Sequence, residues 1–285
     1  MTNTTRKNTT MKKVFLFALA LLTTSTLVFA QPKPQALKKT ITLQMARTTD
    51  DDMPGTRGAG VVWHPLQKKY YAAFAGNVSY PLCVFDIKGK RLSDDALNTD
   101  IDTRGIWYNY VSKKIQVNAY GENGWAEYTL DAKGIPTDVT VLFEGQNQPT
   151  DQSVGAFDGK SKSVYFLNGD GNLDKYSIAS AEPTGTITLH LGKRKESDED
   201  VIDEDDPLAD YNYTTVVFTG LPGSEIALLN LTNRNIELYN IKTGYKVKEL
   251  SVPEDVPMEA SFNFAYANGI YWLFDMEART WIGLK

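Results

Sequence analysis

GVVWHPLQKKYYAAFAGNVSYPLCVFDIKG, residues Gly60–Gly89, holds three short apolar runs: Val61–Trp63, Tyr70–Ala75 and Leu82–Ile87. Pro65 and Lys68-Lys69 separate the first from the second, and Gly76-Asn77 with Pro81 separate the second from the third. Apolar runs of this length between turn residues read as strands, so the stretch is a three-stranded meander.

Weaker copies of it follow downstream. Gly60 is followed by Val61-Val62 and then by Lys68-Lys69; Gly105 is followed by Ile106-Trp107 and, at the same offsets, by Lys113-Lys114. A third copy opens at Gly155 with Ala156-Phe157, and Lys162 precedes its next apolar run, Val164–Leu167. Third strands repeat as well, each running into a Lys/Gly turn: Val84–Gly89, Tyr128–Gly134 and Leu238–Gly244. The units start near Gly60, Gly105, Gly155, Thr214 and Ser261, spaced from 45 residues (Gly60 to Gly105) to 59 (Gly155 to Thr214). That period is the length of a propeller blade.

The second and fourth units continue into a further strand, at Val139–Phe143 and Tyr245–Val252. The last unit, with strands at Phe262–Ala267, Ile270–Phe274 and Thr280–Leu284, stops at three. Near the other terminus, Thr40–Met45 alternates apolar Ile41, Leu43 and Met45 with polar Thr40, Thr42 and Gln44, the pattern of a strand with one buried face. It has no hairpin partner, because Arg47–Gly58 is loop chemistry, so residues 40–45 are expected to pair with the last unit.

On these residues the chain resembles a β-propeller, and LYNIKTGYKVKEL (Leu238–Leu250) is similar to the outer strands of the broad WD40/YVTN-type repeat group. The resemblance implies an all-β, five-bladed β-propeller closed by an N-terminal strand added to the last blade. Closure removes the free sheet edges that template aggregation. No Trp-Asp dipeptide ends the repeats and no Gly-Gly kelch pair is present, so no narrower family is assigned.

Residues 1–30 read as a secretory signal: basic Lys12-Lys13, an apolar Val14–Leu22 and the small-x-small site Val28-Phe29-Ala30. Met11 is an alternative start. The apolar core is too short to span a bilayer, and no later stretch is long enough, so no membrane span is expected. The expected product is secreted or periplasmic: one propeller domain over residues 31–285, a monomer. Removing Arg6, Lys7, Lys12 and Lys13 moves the formal charge from −5 to −9, which argues against a nucleic-acid partner. With Cys83 as the single cysteine, a disulfide framework is excluded, and its Leu82-Cys83-Val84-Phe85 setting reads as a buried thiol.

Propeller geometry implies that the loops entering first strands share one face. Those loops carry Asp102, Asp151 and Glu259 with Arg57 and Arg104, while the opposite turns carry Lys68, Lys69, Lys113, Lys114, Lys160, Lys162 and Lys242. Either this is a field that draws cationic ligands to an acidic channel mouth, or turns simply accept Asp and Lys readily. The expectation is a binding module with its ligand at that mouth, held by Arg57, Asp102, Arg104, Asp151, Trp125, Tyr211, Tyr213 and Glu259. Flat rings beside polar groups suit a sugar face or a peptide, although Trp125 and Tyr213 also fit core positions. A protein, peptide or carbohydrate partner is therefore expected. The alternative is a glycan-active hydrolase using Asp102, Asp151 and Glu259 as its carboxylates.

Only His64 and His190 exist, on different repeats, which argues against a histidine metal centre. The insertion at 192–210 contains eight carboxylates within Glu196–Asp206. Asp198, Asp200 and Asp203 offer oxygen ligands for calcium, but no glycine supplies a sharp turn, and blocks of like charge stay solvated. No cofactor is assigned beyond that calcium candidate. A second calcium-like run, Asn168–Asp174, lacks the acid at the twelfth position and reads as a hairpin turn.

Overall fold

The computed structural model describes residues 34–48, 56–191 and 206–285, with Met1. The signal at 1–30, apart from Met1, and the calcium candidates Asp198, Asp200 and Asp203 lie outside the described residues.

The chain enters through β1 (Gln35–Ala36) and β2 (Lys39–Gln44) and then builds antiparallel meanders in sequence order. Blade one is β3 (Arg57–His64), β4 (Lys69–Ala75) and β5 (Leu82–Phe85); blade two is β6 (Thr103–Asn109), β7 (Lys114–Ala119), β8 (Trp125–Leu130) and β9 (Pro136–Phe143). Blade three is β10 (Ala156–Asp158), β11 (Ser163–Leu167), β12 (Leu173–Ser177) and β13 (Pro183–Ile187). Blade four is β14 (Val217–Phe218), β15 (Ile226–Asn230), β16 (Asn235–Tyr239) and β17 (Lys246–Ser251). Blade five is β18 (Phe264–Ala267), β19 (Ile270–Asp275) and β20 (Thr280–Leu284).

The five inner strands touch one another in a closed cycle, β3 to β6 to β10 to β14 to β18 and back to β3. The fourth strand of blade five is β2, antiparallel to β20 with Leu43 opposite Trp281 and Thr42 opposite Ile282. The protein is thus a five-bladed propeller closed by its N-terminal strand. Ahead of this strand, β1 adds in parallel to β17, Gln35 opposite Leu250, and Leu37 is buried between blades four and five. Blade three also has a fourth strand, β13, whose exposed Pro183–Ile187 lacks the apolar face that marks a strand in sequence.

Each repeat residue has a physical reason. Gly60, Gly105 and Gly155 sit where neighbouring inner strands approach closely: a Cβ on Gly105 would stand 2.7 Å from the Gly155 nitrogen, and one on Gly155 would stand 3.1 Å from the Trp107 ring. Lys68, Lys113 and Lys162 all adopt left-handed backbone, at φ 53°, 60° and 53°, closing the turn between first and second strands. In the third-strand turns the Oδ1 of Asp86 accepts the N–H groups of Lys88 and Lys90, and that of Asp131 accepts those of Lys133 and Ile135, all at 2.8–2.9 Å. The same geometry governs Asn168, whose Oδ1 accepts the N–H groups of Asp170 and Asn172 at 3.1 and 3.0 Å, so this calcium-like run is an Asx turn.

The core is divided among the blade interfaces. Five apolar clusters each join two consecutive blades, including one between blades five and one built on Phe74, Phe274, Trp272 and Trp281.

Candidate channel site

Each inner strand is the edge of its sheet, so its outward backbone groups line the central channel. The two ends of that channel differ. At the end where inner strands begin, here the start face, Arg104 is 5% exposed and its guanidinium lies 4.6 Å from the Tyr120 ring and 5.9 Å from the Phe262 ring. Asp102 fixes it through a two-point ion pair and also accepts the Gly76 N–H at 3.2 Å. Phe262 belongs to blade five, so the arginine of blade two reaches past blade one. Around it, fully buried Asn212 donates to the carbonyls of Phe262 and Glu259 at 2.7 and 2.9 Å, and Asn118 donates to Gln148 Oε1 and the Ser153 carbonyl at 2.6 and 2.8 Å. Among the described residues this end is packed with buried polar side chains, most of them hydrogen-bonded, while the Arg104 Nε and the Asn263 side-chain amide find no acceptor.

At the opposite end, the finish face, the channel opens into a cavity of about 870 Å³ reaching from Ala59, Val154, Val216 and Phe264 down to Tyr110, Lys160, Gly220 and Asn268. Counting three residues on from Gly60, Gly105 and Gly155, and from the matching Thr215 and Asn263, gives Trp63, Tyr108, Asp158, Phe218 and Tyr266. All five line the cavity, one from each blade. Four are aromatic, and the fifth is a carboxylate.

The collar is therefore two-sided. Blades five, one and two supply rings: Tyr266 against Tyr271 at 4.8 Å, Trp63 against Tyr70 at 4.6 Å, and Tyr108 against Tyr110 at 4.9 Å. Burial pushes the phenols of Tyr108 and Tyr266 above their ordinary range, so these rings are neutral. Blades three and four supply the polar groups, with the Phe218 ring of blade four stacked on Tyr165 at 6.2 Å. Asp158 accepts the Lys160 N–H at 2.8 Å, and the Tyr165 hydroxyl lies 3.1 Å from Ser161 Oγ. Burial raises the Tyr165 phenol, with Asp158 and Glu225 adding to the effect from close by. For Glu225, burial would raise the carboxyl, but the N–H groups of Gly223 and Ile241, at 2.8 and 3.2 Å, outweigh it and hold the acid ionised.

None of the eight residues chosen from sequence lines this cavity. Asp102 and Arg104 are brought together, as the ion pair that fills the start face. Arg57 opens β3 and is half-buried, Asp151 is half-buried in a turn, and Glu259 is half-buried with its carbonyl held by Asn212. Tyr213 is 54% exposed, and its N–H donates to the Ala260 carbonyl at 2.8 Å. Trp125 and Tyr211 require correction as ligand contacts. Trp125 is 1% exposed in the interface of blades two and three, against Trp107 at 5.4 Å, with its indole N–H on the Asn147 carbonyl at 3.1 Å. Tyr211 is 3% exposed between blades three and four, and its hydroxyl donates to buried Glu237 at 2.9 Å. Both rings face a neighbouring blade, which is where an aromatic on a blade surface finds the most apolar area to cover.

The signal in the sequence for this collar is the position three residues after the repeat glycines, Trp63, Tyr108 and Asp158. Among the described residues, no three His, Cys, Asp or Glu side chains come together as a metal site. Nor is any helix there long and apolar enough to cross a membrane.

No protein-family model matches the sequence, and no curated protein matches it. Among solved structures it is similar to the glutaminyl cyclase of Myxococcus xanthus, at 9% identity and TM-score 0.55 over 90% of this chain and 98% of that one. It also matches the Cps50 (Swd1) β-propeller domain of Myceliophteria thermophila, at 10% identity and TM-score 0.42 over 80% and 82% of the two chains. A nidogen/laminin complex matches at 12% identity and TM-score 0.42 over 77% and 72%. At these identities the likeness to the cyclase is one of fold.

Proposed function

We propose that this protein is a secreted or periplasmic binding module whose ligand enters the central channel from the finish face. The observation that carries the reading is the contrast between the two ends. The start face is filled by Arg104, Phe262 and their hydrogen-bonded surroundings, whereas the finish face opens into about 870 Å³ behind an aromatic collar. A concave site of this size with apolar walls and a few convergent polar groups suits a small ligand or the end of a larger one. Export is supported by the signal-like residues 1–30.

The hydrolase alternative is not favoured, because the Asp102 carboxylate is committed to Arg104 and the Gly76 N–H. Soaking crystals of the protein in a library of small fragments tests the site. Fragments are expected between Trp63, Tyr108 and Tyr266. Fragments seated only over Arg57, Tyr213 and Glu259 would move the site to the start face.

A further inference from the structure

We propose that the channel ligand is a neutral saccharide. The inference rests on the finish-face reading above and deepens it by naming the ligand class.

The argument is the two-sidedness of the collar. One side carries the rings Tyr266, Trp63, Tyr108 and Tyr110; the other carries Asp158 and Glu225 with the Ser161 and Tyr165 hydroxyls, beside the Phe218 ring that stacks on Tyr165. A pyranose ring has this same division, with an apolar face of C–H groups and an edge of hydroxyls. The rings supply a flat stacking surface, and the carboxylates supply fixed acceptors for hydroxyl donors. Both acids are already oriented by backbone N–H groups, Asp158 by Lys160 and Glu225 by Gly223 and Ile241, so little ordering is needed on binding.

Charge and size point the same way. Lys160 and Lys242 at the rim balance Asp158 and Glu225, leaving the mouth with no net charge to select an ion. The cavity, about 870 Å³, has room for a short oligosaccharide. Tyr110 is 62% exposed beside the mouth, so the stacking surface continues outward onto the finish face, as a chain of sugars requires.

The test is titration calorimetry of the mature protein against cello-, chito-, manno- and xylo-oligosaccharides of two to four residues. At least one series is expected to bind, with an affinity that changes less than about twofold between low and high salt, because a neutral ligand is not screened. Tyr110→Ala and Asp158→Asn are each expected to weaken binding about tenfold. Asparagine keeps the oxygen that accepts the Lys160 N–H, so the turn survives that change. Arg57→Gln at the start face should leave affinity unchanged. If no saccharide in the panel binds while soaked fragments still occupy the collar, the sugar class is wrong and the site reading stands. A saccharide whose affinity is lost in Arg57→Gln and retained in Tyr110→Ala overturns both.

Discussion

Arg104 in blade two stands 5.9 Å from the ring of Phe262 in blade five, with blade one between them in the ring order. Phe262 packs with residues of blades one and two, and Asp102 holds the guanidinium in place. Arg104→Ala leaves the Asp102 carboxylate without its partner. It is expected to cost about 3 kcal/mol, read by chemical denaturation, whereas Asp102→Asn combined with Arg104→Met should recover part of that loss.

Ring closure puts Gly58 of blade one against Trp281 of blade five: a Cβ there would lie 2.3 Å from the indole. Gly58→Ala is expected to destabilise the protein by about 1–3 kcal/mol through overpacking, with an accompanying change in near-ultraviolet circular dichroism. Deleting residues 34–45 removes β2 and exposes the edge of β20. The truncated chain should be insoluble or should unfold without cooperativity, and a well-folded monomer would contradict closure by this strand.

Much of this ring was legible in the sequence, because its register is set locally. The glycines at 60, 105 and 155 repeat where backbones must approach, and Lys68, Lys113 and Lys162 repeat where the turn needs a left-handed residue. The alternating Thr40–Met45 also announced a strand without a local partner. The site was less legible. Trp125 and Tyr211 are placed by neighbouring blades, and nothing local says which face of a blade an aromatic covers. Nor does any local pattern reveal which end of the channel is filled, since that depends on Arg104 meeting a residue 158 positions away.

His64 is 4% exposed and its Nδ1 accepts the Gln67 N–H at 3.2 Å, which fixes the tautomer with the proton on Nε2. Burial lowers its pKa from 6.5, with Lys69 adding to the effect against the opposing His64 backbone. The unfolded chain therefore binds the proton more readily. Stability should be full above about pH 6.5 and fall as pH drops through the lowered folded value. His64→Gln should flatten this part of a plot of thermal midpoint against pH.

Burial pushes the Cys83 thiol up to about 11, and its sulfur accepts the Ala46 N–H at 3.3 Å. The native protein should not react with a thiol reagent at pH 8, and one equivalent should react on unfolding. Rapid native labelling would mean that the interface of blades five and one opens readily.

The most direct measurement of the central claim is methyl chemical-shift mapping of the protein titrated with the saccharide panel and the soaked fragments. Binding in the open channel predicts shifts at the Val61, Ile106 and Val216 methyls, with Ile101 and Thr214 at the start face undisturbed. Shifts confined to Ile101 and Thr214, with the channel methyls unmoved, would contradict it.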